Sequence, residues 1–360
     1  MEGRLPELLS QLMRRCIEQN MFPGGVVLVR LGNDVIVHEA YGHSCTHQDN
    51  HSRLSESLPA QLDTMYDLAS ITKVFTATCA MQLVDEKRIR LDDPVAGHLP
   101  DFAVNGKGNI TVRHLLAHVT GLPNCRLWEE ASTPEDRIRQ VMAVTPEFSP
   151  GSAVMYHDTN LIVLGRLIEE VGGRSLDQAM TTRVLDPLGL DYTRFGPLDT
   201  STSDVAATED ESYVGRGMVR GEVHDENAWC LGHVAGHAGL FSTAHDLSIF
   251  GQMYLNGGTY NGARILAPET VSEMTRNQVG NLGDRGLGWQ LNASYYMGDL
   301  ASPQTYGHTG FTGTSMVADP RRELVVVLLT NRVHPTRYGP NVDPVRRAVA
   351  DAVLDAIDAA

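Results

Sequence analysis

Hydrophobic and polar positions alternate in two different rhythms along this chain. From Met1 to Asn20, Leu5, Leu8, Leu9, Leu12, Met13, Cys16 and Ile17 recur at helical spacing, which predicts an amphipathic first helix. Val26–Leu31 and Val35–Ala40 are β-branched runs joined by Gly32-Asn33-Asp34, the chemistry of a β-hairpin. Cys45–Ala60 is polar and rich in Ser and His and reads as a loop. Ser70–Val84 reads as a buried helix, Thr111–Ala117 as a short helix capped by Thr111, and Thr159–Val171 as a helix closed by Gly172-Gly173. Thr200–Gly236 is polar and Gly-rich and is expected to be irregular, and Thr243–Leu255 returns to a helix.

Strand signals reappear towards the C-terminus. Gly286–Leu291 is one candidate. Ser315–Ala318 and Leu324–Thr330 flank the Asp319-Pro320-Arg321-Arg322 turn and predict a second hairpin. Val345, Val349, Val353 and Ile357 mark one face of a final helix over Asp343–Ile357. The simplest assembly is an α/β fold. An antiparallel sheet built from both chain ends is flanked by the N- and C-terminal helices, with a mostly helical region beside it and a cleft between the two. The expected division is one domain over 1–360, with 1–65 and 285–360 as its α/β region and 66–284 as its mainly helical region.

The 360 residues suffice for one large domain or two. A net charge of −15 argues against nucleic acid and anionic membranes as partners. No apolar run is long enough for membrane insertion, and charges interrupt the first helix where a signal peptide would be apolar. Five scattered cysteines without a C-x-x-C pair point to a reducing, cytoplasmic setting.

The candidate chemistry centres on Ser70-Ile71-Thr72-Lys73. On a helix, positions i and i+3 share a face, so an activatable hydroxyl and an ammonium can meet. Lys73, Lys87 and Lys107 are the only lysines, and only Lys73 has a serine at that offset. Serine needs a neighbouring base to act as a nucleophile, and a desolvated lysine can serve. Tyr156-His157-Asp158 lies on a loop before a helix, where the tyrosine can reach a cleft. Gly307-His308-Thr309-Gly310-Phe311 precedes the terminal hairpin, where glycines let a substrate approach the backbone.

These elements, in the order S-x-x-K, Y-x-N and H-T-G, resemble the serine β-lactamase and penicillin-binding-protein superfamily. The chain is most similar there to class C β-lactamase-related serine hydrolases, which include esterases and D-amino-acid peptidases. Asp67-Leu68-Ala69, Leu115–Leu122 and Gly236–Thr243 also look like landmarks of that family, and the resemblance runs from about Phe22 to Asn331. It implies that Ser70 is the acylated nucleophile, that Lys73 accepts or tunes its proton, and that Tyr156 acts in acylation and deacylation. The backbone N–H groups of Ser70 and Phe311 would form an oxyanion hole. Asp158, His308, Thr309 and Gly310 would meet the substrate, and no cofactor is needed.

Two residues depart from the pattern. Asp158 stands where the family has Asn, and it could pair with Lys73 and hold it charged. His308 replaces Lys and offers less charge to a carboxylate. Both changes favour a small ester or amide, such as a D-alanyl peptide, over a β-lactam. A true β-lactamase, a penicillin-binding sensor that does not turn over, and transfer to an acceptor other than water remain as alternatives.

Three further readings are weaker in the sequence itself. His224, His233 and His237, with Asp225 and Glu226, offer metal-ligand types without helical ligand spacing, so no metal is expected. His237 is placed beside the cleft instead. Trp229 is the pocket candidate among the tryptophans and Trp289 a structural one. Asn160, two residues after Asp158, is a further candidate for the substrate side.

Overall fold

The computed structural model describes residues 4–129, 133–201 and 204–359. The first three residues of the predicted first helix and residues 202 and 203 of the irregular stretch lie outside them. Seven strands form one antiparallel sheet. They are β1 (Gly24–Leu31), β2 (Asp34–His47), β3 (Arg53–Pro59), β4 (Gln290–Leu291), β5 (Tyr306–Thr309), β6 (Ser315–Asp319) and β7 (Leu324–Thr330). The spatial order is β4-β5-β6-β7-β1-β2-β3, so both chain ends meet where β1 pairs with β7, Gly25 opposite Thr330 and Val29 opposite Val326.

β1 and β7 are buried almost throughout because both faces of the sheet are covered. One face packs on α1 (Arg4–Glu18) and the C-terminal helix. Leu5, Leu9 and Met13 meet Val27, Val29, Val326 and Leu328, and Val345, Val349 and Val353 close the layer. The other face, through Val26, Leu28, Val325, Val327 and Met316, joins the core of the helical region. Each such side chain contributes about 1.5–3 kcal/mol on full burial.

Four further helices frame the site: α2 (Thr72–Asp85), α3 (Thr159–Gly172), α4 (Ala244–Leu255) and α5 (Asp343–Asp358). α2 is buried on every side from Thr72 to Leu83, as expected of a helix apolar all round. Its Thr78 hydroxyl donates to the Val74 carbonyl at 2.8 Å and meets the Tyr254 hydroxyl at 2.7 Å, so this buried polar side chain is satisfied. Lys73 is the only charged residue in that buried stretch. α3 ends at Gly173, whose φ of +70° supplies the left-handed cap. No helix among the described residues is long and apolar enough to cross a membrane.

Three expectations need correction. Cys45–Ala60 is not a loop: it supplies the end of β2 and the edge strand β3. As an edge strand β3 is paired on one side only and has no buried residue, which is why its Ser-rich sequence looked irregular. The segment at Ser70 opens with a 3₁₀ turn over Ala69–Ile71 before α2 begins. Thr200–Gly236 is not uniformly irregular, since it contains the strand pair Ala207–Asp210 with Met218–Arg220 and a short helix over Glu226–Cys230.

Candidate active site

Ser70 sits in the first turn of its helical segment, where backbone N–H groups have no intrahelical acceptor. The turn is fixed from several sides. Thr312 and Thr314 hydroxyls donate to the Asp67 and Leu68 carbonyls at 2.7 and 3.2 Å. The Asp67 carboxylate accepts from the N–H groups of Ala69 and His224 at 2.8 and 2.7 Å. Ala69 is held at φ +46°, a left-handed conformation costing about 1–2 kcal/mol for a residue with a Cβ. This clamp ties the Ser70 turn to the loop between β5 and β6.

Lys73 Nζ donates to Ser70 Oγ at 2.7 Å and to the His237 carbonyl at 3.1 Å, and it pairs with Asp158 Oδ1 at 2.7 Å. Burial is the largest influence on this lysine and opposes its charge. The Asp158 carboxylate, aided by Tyr156, outweighs it and raises the pKa. Lys73 is therefore an ammonium that donates to Ser70, not a base that accepts from it. The Tyr156 ring centroid lies 4.9 Å from Lys73 Nζ.

The Tyr156–Asp158 loop is anchored to residues 122–124. His157 Nδ1 donates to the Leu122 carbonyl, and Thr159 Oγ1 to the Pro123 carbonyl. The Asp158 N–H donates to Asn124 Oδ1. Tyr156 lies between two imidazoles, with His118 at 4.7 Å and His308 at 5.9 Å between ring centroids. Both histidines are fully buried and held neutral. Burial, helped by the nearby Lys73 and Arg285 charges, pushes His308 down to about 3 and lowers His118 well below its usual value. The Arg285 guanidinium lies over the other part of this cluster, 5.0 Å from the Tyr156 centroid.

The opposite wall is the His308–Phe311 segment. A Cβ at Gly310 would collide with the Thr314 side chain and the Leu68 carbonyl, so only glycine lets these two segments approach. Arg346 of α5 donates to the Gly310 and Thr314 carbonyls at 2.7 and 2.8 Å and holds this loop from behind. Phe311 is half exposed, and its N–H has no acceptor among the described residues. The walls enclose a cleft of about 920 Å³ lined by Ser70, Tyr156, Asp158, His308, Thr309, Gly310 and Phe311.

The structure thus gathers Ser70, Lys73, Tyr156, Asp158, His308, Thr309, Gly310, Phe311 and His237 around one cleft. Asp158 lines it but is committed to Lys73. Two candidates fall elsewhere. Asn160 is fully buried beneath the cleft, accepting from Thr120 Oγ1 at 2.5 Å and standing 3.2 Å from His118 Nδ1. It sits on α3 with its side chain turned into the protein. Trp229 is also outside the cleft, stacked under Arg216 at 4.8 Å on the short helix after Asp225. Trp128 lines the cleft instead. Trp289 is wholly buried against Tyr254 and Tyr306.

The histidine cluster separates in space. His237 Nε2 meets Asp225 at 2.7 Å beside Lys73, while His224 Nε2 meets Glu209 at 2.9 Å. Asp158, Asp225 and His237 form one group of possible ligands, and Glu209, Glu211 and His224 another. Each group already holds a cation, Lys73 on Asp158 in the first and Arg337 on Glu209 in the second. Sequence reasoning missed Arg285 and the positioning roles of Asp67, Thr312, Thr314 and Arg346. Among 29 basic residues, no local pattern singles out either arginine.

Known proteins resemble this chain over most of its length. The family described as "Beta-lactamase" matches residues 9–351. A Salmonella agona protein named "Putative D-alanyl-D-alanine carboxypeptidase" is 35% identical over 355 residues, covering 90% of this chain and 82% of that protein. The solved structure of EstCE1, "a hydrolase with promiscuous acyltransferase activity", superposes with a TM-score of 0.77 at 25% identity and covers 98% of this chain and 99% of its own. A penicillin-binding protein homologue from Caulobacter crescentus gives a TM-score of 0.76 at 22% identity, covering 98% and 97%, and shares the fold.

Proposed function

This chain belongs to the beta-lactamase family and is a serine hydrolase, and we propose that it removes the last residue from peptides ending in a free carboxylate, D-alanyl peptides in particular. The observation that carries this reading is Arg285. Its guanidinium lines the cleft beside Tyr156 and has no hydrogen-bond or ion-pair partner among the described residues. His308 is neutral and cannot supply charge there. An uncompensated guanidinium is suited to a carboxylate, which it can bind with two parallel hydrogen bonds. The D-alanyl specificity is taken from the names of the relatives.

In this reading Ser70 Oγ attacks the scissile carbonyl carbon. The N–H groups of Ser70 and Phe311 hold the oxygen that becomes negative, each worth about 3 kcal/mol. Lys73 stays protonated and stabilises the Ser70 oxygen as its proton leaves. Tyr156, entering the step as its phenolate beside the Lys73 ammonium, takes that proton and delivers it to the nitrogen of the departing residue, which leaves as the free amine and restores the phenolate. Water then attacks the Ser70 ester by the same route in reverse and releases the shortened peptide.

The test compares release of D-alanine from N-acetyl-L-Gln-D-Ala-D-Ala with release of D-alaninamide from its C-terminal amide. The free acid should have the higher kcat/KM, and Arg285→Gln should reduce that preference by about tenfold or more, the worth of a charge-assisted hydrogen bond. Equal cleavage of acid and amide by the unmodified enzyme would overturn the reading.

A further inference from the structure

Arg285 is not alone among the cleft's guanidinium groups in lacking an ion pair. Four carboxylates line it, and each is already committed. Asp158 meets Lys73 at 2.7 Å, Asp225 meets His237 at 2.7 Å, Glu226 meets Arg337 at 2.8 Å and Asp343 meets Arg346 at 2.6 Å. Arg126 at the rim pairs with Glu129 at 3.1 Å. Among the described residues this leaves two cleft-lining guanidinium groups without a counter-ion, Arg285 and Arg332.

Arg332 is a built feature. It lies 4.7 Å from the Phe311 ring centroid, and its Nε and Nη1 donate to the carbonyls of Phe311 and Arg337 at 3.0 and 3.3 Å. Those bonds use only neutral acceptors and leave Nη2 without one among the described residues. Burial and the neighbouring Arg346 disfavour its charge more than the Asp343 and Glu209 carboxylates favour it. The group is fixed in place, desolvated in part and without a direct ion pair among the described residues, in a protein whose net charge is −15. Phe311 beside it is half exposed and lines the same cleft, with the His224 ring stacked 5.7 Å away.

We propose that Arg332 and Phe311 form a second anion-binding subsite, which selects peptides carrying an acidic side chain in addition to the C-terminal carboxylate. This rests on the peptidase reading above. Phe311 would take the methylene stem and Arg332 the carboxylate, so a glutamyl-type side chain fits the pair. Arg332 is a specificity-determining residue in this scheme.

The experiment uses N-acetyl-L-Glu-D-Ala-D-Ala and its isosteric L-Gln counterpart. Each is tested as an inhibitor of p-nitrophenyl acetate hydrolysis and, separately, for release of D-alanine. The Glu peptide should bind about tenfold more tightly than the Gln peptide, as a charge-assisted contact implies. Arg332→Gln should bring that ratio close to one, and Arg332→Lys should restore part of it. A general disturbance of Phe311 would weaken both peptides alike and leave the ratio intact. A ratio of one in the unmodified protein, or a ratio unchanged in Arg332→Gln, overturns the subsite. Cleavage of both peptides with equal affinity would do so while leaving the peptidase reading standing. An Arg332-dependent preference without D-alanine release would support the subsite and overturn the peptidase reading. Failure of both peptides to bind would overturn both readings.

Discussion

Replacing Asp158 by Asn removes one negative charge from beside Lys73 and leaves the shape nearly unchanged. Lys73 Nζ and Asp158 Oδ1 are 2.7 Å apart, with Lys73 wholly buried and Asp158 23% exposed. At an effective dielectric of about 20, unit charges at that distance attract by about 6 kcal/mol, and screening through the exposed side leaves about half of that. About 3 kcal/mol changes the proton affinity of the lysine by about a hundredfold. Burial, already the largest influence and opposed to charge, then meets less opposition, and Lys73 gives up its proton about two pH units lower than in the unmodified protein. The expected result for Asp158→Asn is that the high-pH rising limb in kcat/KM for p-nitrophenyl acetate moves about two pH units lower, with faster acylation by a penicillin followed by intact mass. Stability gives a second readout. With Asp158 present the folded pKa of Lys73 is raised, so its contribution is full below the unfolded value and constant from pH 6 to 9. In the variant the folded pKa falls by about two units, so that contribution shrinks and is lost at lower pH. The melting temperature of Asp158→Asn should therefore lie below that of the unmodified protein near neutral pH, by a gap that narrows as pH rises above about 9. Rate profiles with the limb at the same pH, together with a pH-independent difference in melting temperature, would refute the claim that Asp158 sets the protonation of Lys73.

Ser70→Ala should lower p-nitrophenyl acetate hydrolysis by at least about a thousandfold and abolish any penicillin adduct. Its melting temperature should stay within a few degrees of the unmodified protein, because Lys73 keeps Asp158 and the His237 carbonyl. Burial pushes the Glu211 carboxyl up to about 7 even though Arg216 lies 2.8 Å away. The folded state then binds more protons than the unfolded one between the ordinary glutamate range and about pH 7, so stability falls as pH rises through that window. Glu211→Gln should flatten that slope, which thermal melts at pH 5, 6, 7 and 8 would reveal.

Much of this arrangement could be read from residue order because it is local. The β-branched runs of β1 and β7, the glycine cap of α3 and the Ser70–Lys73 offset each depend on neighbours a few positions away. The misreadings arise where distance in space decides. Asn160 is two residues from Asp158, yet the helix turns it inwards onto His118. His224 and His237 are close in sequence but serve different carboxylates, because Asp67 anchors the backbone of the first and Asp225 the ring of the second. The scarcity of lysine was a sound but incomplete guide. Lys107 is equally buried, donating to the Val104 and Val144 carbonyls, and it has no place in the cleft. The state of Arg285 and Arg332 is invisible in sequence, since being unpaired is a property of everything packed around a residue.

The meeting of the two chain ends in one sheet has a consequence for synthesis. β1 lies between β2 and β7, and Gly25 waits for Thr330, some 300 residues later on the ribosome. At about 5–20 residues per second, that delay is roughly 15–60 seconds. Throughout it the hydrogen-bonding edge of β1 that faces β7 has no native partner, a template for wrong pairing. The Ser70 turn waits as well, because Thr312 and Thr314 that clamp it are made almost last. A nascent chain therefore carries its reactive serine in an unfinished frame, and the hydrolase comes into being only as its final strands emerge.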